Sequence, residues 1–251
     1  MKRDKTQVRG VALITGAARR IGAVIAEELH GNGYDVVIHC HQSQAEAELL
    51  MQALNAKRAD SASVCVADLS QKAEAEQLVH AAYAWKNQLD ILVNNASCFI
   101  KTDVSRMDEA ASDRLWALNV KGPFWLALVA YDALKQSDNG NIINITDIHA
   151  EKPLRDYAVY VQTKAALKMQ TEALACEFAP DVRVNAVAPG AIILPEGDNA
   201  LSAETQAQML LKMPLKRWGE PIWVAKAVSS VVCNSYITGQ TLRVDGGRSL
   251  K

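Results

Sequence analysis

Val11-Ala12-Leu13-Ile14-Thr15-Gly16-Ala17-Ala18-Arg19-Arg20-Ile21-Gly22 is the stretch on which the fold turns. Its first four residues are an unbroken apolar run, the mark of a strand buried on both faces. Ile21, Ile25 and Leu29 then recur every fourth position, as on one face of a helix, until Gly31-Asn32-Gly33 ends the pattern. Between them lies a turn with Gly16, Gly22 and an intervening Arg20. Strand, glycine turn and helix together place backbone N–H groups and a helix N-terminus against a diphosphate. The same glycine pair is also compatible with a purely structural turn.

Outward from this stretch, strands and helices alternate. Tyr34 to His39 reads as a second strand, residues 43–59 as a helix, and Ser63 to Ala67 as a third strand ending at Asp68-Leu69. A helix follows over 70–86, then a fourth strand, Asp90 to Val93. A long helical stretch covers 105–136, with Gly122-Pro123 marking a local irregularity. A fifth strand, Gly140 to Thr146, is closed by Asp147, and the helix after it runs to about Phe178. Val182 to Val187 is the sixth strand, closed by Pro189-Gly190. Residues 191–213 read as a substrate lid. Pro221 starts the last helix, and Thr241 to Asp245 is the seventh strand. This alternation predicts an α/β fold: one doubly wound, seven-stranded parallel sheet filling a single domain over 1–251.

Composition narrows the function classes. The chain has 251 residues, 49% apolar and 22% charged, enough to bury a large core without staples. A net charge of −1 gives no electrostatic case for nucleic acid or a membrane surface as partner. The five cysteines are an odd number with no Cys-x-x-Cys, which points to reduced thiols and a cytoplasmic protein. The apolar run at 11–14 is too short for a signal peptide, and no stretch is long enough for a membrane span. No metal site is expected.

The chemistry-bearing residues lie at predicted strand ends. Where an NAD-binding fold presents an acid after the second strand, this chain has His39-Cys40-His41-Gln42-Ser43. A carboxylate would repel a 2′-phosphate, whereas Arg19, His41 and Ser43 can hold one, so NADP is expected over NAD. The alternative is that the histidines merely flank a surface loop. Asp68 either accepts from adenine, N-caps the next helix, or both. Asn94-Asn95-Ala96-Ser97-Cys98-Phe99 leaves the fourth strand with small residues that let a ligand approach the backbone. Asn119, on an otherwise apolar path, needs buried partners. Tyr160 and Lys164 are four apart, one helical turn, and an ammonium there is expected to lower the phenol's pKa from its usual value of about 10. That spacing alone also fits a surface Tyr and Lys.

Thr15-Gly16…Gly22, Asn94-Asn95-Ala96, Asn119, Tyr160-x-x-x-Lys164 and Pro189-Gly190, in this order, resemble the short-chain dehydrogenase/reductase family over nearly the whole chain. Within it, Arg19-Arg20-Ile21-Gly22, His39-x-His41-x-Ser43, Ser97-Cys98-Phe99 and Asp147, thirteen residues before Tyr160 where most of the family has Ser, resemble the pteridine reductases. The ending Asp245 to Leu250 resembles their bacterial members. The resemblance implies a Rossmann fold, a homotetramer, and NADPH held by Gly16, Arg19, Arg20, Ile21, His41, Gln42, Ser43, Asp68, Leu69, Asn95, Ala96, Tyr160, Lys164, Pro189 and Gly190. Gln42 departs from the pattern, standing where an Arg is expected for the 2′-phosphate. Tyr160 is implied as proton donor, Lys164 on the nicotinamide ribose and Asn119 on a proton-relay water. Arg20, Ser97, Phe99, Asp147 and Tyr160 would meet a pterin or folate, with Phe99 and the nicotinamide sandwiching the ring. The expected activity is NADPH-dependent reduction of dihydropteridines, dihydrofolate among them. The rivals are a reductase of a ketone such as a 3-oxoacyl carrier-protein substrate, and a catalytically silent NADPH-binding protein.

Overall fold

Parallel pairing dominates because every strand feeds a helix before the next strand begins. The computed structural model describes residues 10–194 and 202–250. Its elements are β1 (Val11–Ile14), α1 (Arg20–Gly31), β2 (Asp35–Cys40), α2 (Gln44–Lys57), β3 (Ala62–Val66), α3 (Lys72–Lys86), β4 (Ile91–Asn94) and α4 (Glu109–Trp116). A π-turn (Ala117–Lys121), α5 (Gly122–Leu134), β5 (Asn141–Ile145), a 3-10 turn (Ile148–Ala150) and α6 (Ala158–Glu177) follow. Last come β6 (Arg183–Pro189), α7 (Ala203–Lys212), α8 (Pro221–Cys233), β7 (Thr241–Val244) and a 3-10 turn (Arg248–Leu250). The sheet has seven strands in the order β3-β2-β1-β4-β5-β6-β7, all parallel, as the alternation predicts.

Side-chain alternation along each strand feeds two cores. Ala12 and Ile14 of β1 point into one core with Ile25 and Leu29 of α1, Leu54 of α2 and Val228 of α8. Val11 and Leu13 point into the other, with Leu78 of α3, Leu126 of α5 and Leu174 of α6. Burying one such side chain fully stabilises the fold by about 1.5–3 kcal/mol. Both faces are covered at the sheet centre, which is why β1, and β4 as far as Val93, are continuous apolar runs.

The strand order reverses between β1 and β4, so their carboxyl ends open a crevice where ligands bind in such sheets. Deep beneath it runs a polar ladder. Asn94 Nδ2 of β4 donates to Asn144 Oδ1 of β5 (2.8 Å), and Asn144 Nδ2 donates to Thr171 Oγ1 of α6 (2.9 Å). This ladder fixes the floor of the crevice to the helix that carries Tyr160.

The structure corrects the predicted elements in places. The helix expected over 105–136 starts at Glu109, where the Asp108 carboxylate accepts from Ala110 N, and it is interrupted by the π-turn. There Gly122 N bonds Ala117 O, one residue further back than in an α-helix. Asp68 does not cap α3; its carboxylate closes a turn onto Ser70 N (2.9 Å), and Gln71 stands at the helix start. Of the expected lid, 195–201 lies outside the described residues; Ala191 and Ile192 are buried and α7 has no buried residue. No helix among the described residues is long and apolar enough to cross a membrane.

Candidate functional site

The loop after β1 is held by small residues and by a network around Thr15. Gly16 has φ +60°, and a Cβ there would meet Ala96 Cα at 3.0 Å. A Cβ on Gly22 would lie 2.3 Å from Gly16 O, so the first turn of α1 can close on the loop only without one. Thr15 Oγ1 accepts from Asn95 N (2.9 Å) and Ala96 N (3.0 Å), while Asn95 Nδ2 donates to Thr15 O (2.8 Å) and Gly16 O (3.0 Å). Arg20 adopts φ +57°, the left-handed region that glycine occupies freely and other residues enter at a cost of about 1–2 kcal/mol. Its guanidinium reaches Leu194 O at 3.3 Å, tying the loop to the segment after β6.

His39 is a strut rather than a surface histidine. Gly16 N donates to its Nδ1 (3.1 Å), so Nδ1 carries the lone pair; Nε2 lies 3.0 Å from Ala67 O, which only accepts, so Nε2 carries the proton. Burial pushes its pKa down to about 4, keeping this neutral tautomer. His41 is exposed and faces the cleft instead.

A cleft of about 800 Å³ opens over the ends of β1, β2 and β3. Gly16, Arg19, Arg20, His41, Gln42, Ser43, Asp68 and Leu69 line it, and Asn95 and Ala96 close one side. No carboxylate stands at the end of β2 among these residues, and Ser43 precedes α2 without spending its hydroxyl on a cap. The donor set and the space left by absent Cβ atoms fit a dinucleotide.

A second cavity of about 390 Å³ adjoins the first, sharing Arg20, Ile21, Asn95, Ser97 and Phe99. Asp147, Tyr160, Lys164, Pro189 and Gly190 line it as well. Asp147 leaves β5 with one carboxylate oxygen on His149 N (2.8 Å) and the other accepting from the Tyr160 hydroxyl (2.8 Å). It therefore both caps the 3-10 turn and orients the phenol. Lys164 Nζ donates to Ile145 O (3.0 Å) and sits 5.8 Å from the centre of the Tyr160 ring. The expected lowering of the Tyr160 pKa is overturned. Burial and the neighbouring Asp147 carboxylate both disfavour a phenolate and hold it well above its usual value. Burial pushes Lys164 the other way, down to about 8, with Asp147 opposing.

Asn119 makes the π-turn a clasp. It is fully buried, and Oδ1 accepts from Ser97 Oγ (3.1 Å) and Cys98 N (2.9 Å). Its Nδ2 donates to Cys98 O (3.1 Å) and Thr163 Oγ1 (3.1 Å). The side chain implied on a proton relay thus bonds protein groups at both ends, joining the loop after β4 to α6. Phe99 stacks on Tyr157 with centroids 4.2 Å apart and planes at 9°, and meets the edge of Tyr160 at 4.7 Å.

The sequence reading missed Thr15, His39 as a strut, Thr163 and Arg248. Thr15 lay inside the quoted motif, but its hydroxyl's partners are 78 to 81 positions away. Arg248 reaches the second cavity only through the sheet topology.

A family model described as enoyl-(acyl carrier protein) reductase matches residues 16–249. Pteridine reductase 1 of Leishmania tarentolae is 35% identical over 284 aligned positions, covering 96% of both chains. The 3-oxoacyl-[acyl-carrier-protein] reductases of Staphylococcus epidermidis and Staphylococcus aureus are each 35% identical, covering 94% of this chain and 97% and 96% of theirs.

Proposed function

Since the chain belongs to the short-chain dehydrogenase/reductase family and is an oxidoreductase of the nicotinamide-dependent kind, we infer that it is an NADPH-dependent reductase of dihydropteridines, acting on a ring C=N bond. One observation carries this reading: the carboxylate of Asp147 accepts the Tyr160 hydroxyl at 2.8 Å. A carboxylate only accepts, so this position offers no donor to the oxyanion that develops when a ketone is reduced. Reduction at C=N needs a proton on nitrogen instead, and a phenol oriented by Asp147 delivers one. Bound NADPH would supply the hydride. At neutral pH a phenol is protonated, the form a proton donor needs. Lys164, anchored on Ile145 O, would hold the nicotinamide ribose, and Gly16, Arg19 and Arg20 the diphosphate.

NADPH oxidation measured against dihydrobiopterin, dihydromonapterin, dihydrofolate, biopterin and a 3-oxoacyl thioester tests the reading. Turnover of dihydropterins and not of the thioester is expected. The reverse would establish the second reading, which the two 3-oxoacyl reductases support at the same identity as the pteridine reductase. Tight NADPH binding with no turnover at all would leave a binding protein.

NADPH is expected to be preferred over NADH at least tenfold in kcat/KM, on Arg19, His41 and Ser43 and the missing acid. A charged hydrogen bond contributes about 1.5–3 kcal/mol, and tenfold needs about 1.4. Equal specificity constants would remove these residues from a 2′-phosphate site.

Phe99→Ala is expected to raise KM for the pterin several-fold and to lower kcat. The ring lines the second cavity and also packs on Tyr160, so its loss frees the phenol; aromatic pairs contribute about 0.5–1.5 kcal/mol beyond area burial. Unchanged NADPH affinity, measured by cofactor fluorescence, would separate this effect from unfolding.

A further inference from the structure

Arg248 is the residue of the second cavity whose chemistry the reductase reading leaves unused. It stands at the start of the last 3-10 turn, beyond β7. Its presentation is rigid. Asp245 Oδ1 accepts from Gly247 N (2.9 Å), Oδ2 accepts from Ser249 N (2.7 Å), and Arg248 N bonds Asp245 O (3.1 Å). Gly247 takes φ +82° with no room for a Cβ against Pro214, and Gly246 O receives Leu215 N. The loop is thus clamped from within and against the segment after α7, and it sets a half-buried guanidinium in the cavity wall with Asp147, His149, Tyr157 and Trp218.

Among the described residues, three cations, Arg20, Lys164 and Arg248, face this cavity against a single carboxylate, Asp147. Asp147 is already engaged by the Tyr160 hydroxyl and His149 N, and it forms no ion pair with Arg248 among the described residues. Lys164 is tied to Ile145 O, and Arg20 lies on the phosphate-loop side and reaches Leu194 O. Arg248 has no side-chain hydrogen bond to a described residue. Burial lowers its pKa, against the opposing pull of Asp147 and Asp245. A planar fork of donors, partly desolvated and fixed in a pocket wall, suits a bidentate oxyanion.

We propose that Arg248 is a specificity-determining residue that holds an anionic group, carboxylate or phosphate, carried by the substrate. The chemistry names a class: ring substrates bearing a negatively charged substituent. This rests on the reductase reading for its ring, but the anion site can be tested without turnover.

The test compares wild type, Arg248→Gln and Arg248→Lys with NADPH and three substrates: dihydrobiopterin, whose side chain is uncharged, dihydrofolate, with carboxylates, and dihydroneopterin monophosphate. Dihydrofolate binding to NADP-loaded protein is measured in parallel by calorimetry. In Arg248→Gln the ratio of kcat/KM for the preferred anionic substrate to that for dihydrobiopterin falls about tenfold or more, mainly through KM, and Arg248→Lys restores part of it. Whether dihydrofolate or the phosphate ester loses more tells which anion is held. A ratio unchanged in Arg248→Gln, with all substrates affected alike or none, overturns the anion site and leaves the reductase reading standing. Loss of dihydrofolate affinity in a protein that reduces no dihydropterin does the opposite: it keeps the anion site and removes the reductase reading. Thermal unfolding at the wild-type temperature shows that Arg248→Gln is folded.

Discussion

Tyr160→Phe turns over about 10²–10⁴ times more slowly than wild type while still binding cofactor and substrate. That range is the usual contribution of a positioned general acid. The ring stays, so its edge contact with Phe99 and its burial survive; what is lost is the proton and the 2.8 Å bond to Asp147. Asp147→Ser extends the test. Serine restores a donor at this position, so a ketone reductase should gain or stay level, whereas a pterin reductase should lose turnover by a factor similar to Tyr160→Phe. NADPH binding should survive, because Asp147 bonds Tyr160 and His149 N and has no assigned cofactor contact. Steady-state rates of this variant with one dihydropterin and one ketone decide between the two. Pterin turnover at the wild-type rate would leave the pterin assignment with family likeness alone behind it.

Lys164→Met is expected to stabilise the protein at pH 7 by about 2 kcal/mol while abolishing most activity. In the unfolded chain the ammonium holds its proton to its ordinary 10.5, in the folded protein only to about 8. Each unit of difference is about 1.4 kcal/mol, so below pH 8 the fold carries a penalty of about 3 kcal/mol; losing the bond to Ile145 O returns about 1 kcal/mol of it. The sign with pH is fixed by proton binding. Between about 8 and 10.5 the unfolded state holds more protons, so this residue's penalty shrinks as pH rises and is gone above 10.5. Urea unfolding of wild type and Lys164→Met at pH 7 and pH 10 should therefore show a gap that narrows. A variant less stable at both values would mean that the Ile145 bond outweighs the desolvated charge.

The central strands β1 and β4 were legible because each is an apolar run closed by a turn residue, and two-sided burial leaves that mark locally. The doubly wound order followed from alternation. Most boundaries moved by a residue or two, but where a side chain decided the start the shift was larger: Asp108 starts α4 four positions later than the helical pattern. Tyr160 and Lys164 were legible as a pair, but the direction of the phenol's pKa was not, since it depends on burial and on a carboxylate thirteen residues away. His39 was read as the end of the second strand, but its role as a strut was not legible because its partners, Gly16 and Ala67, lie at other strands' ends. The bond between Asn94 and Asn144 spans fifty positions and has no local signature. Gly122-Pro123 did flag an irregularity near Asn119, although not its form.

That form makes chain length part of the site. A π-turn holds one residue more than an α-helix would use for the same turn. Between Glu109 and Leu134 the chain thus carries a spare residue within Ala117–Lys121. Deleting one there would remove the spare residue and rotate Asn119's station by roughly 100° relative to one flank. The clasp on Ser97, Cys98 and Thr163 would open while both flanking helices kept their own hydrogen bonds. Here an insertion, ordinarily a defect in a helix, is what brings a polar side chain inward, and a length change rather than a substitution is the mutation that would separate folding from function.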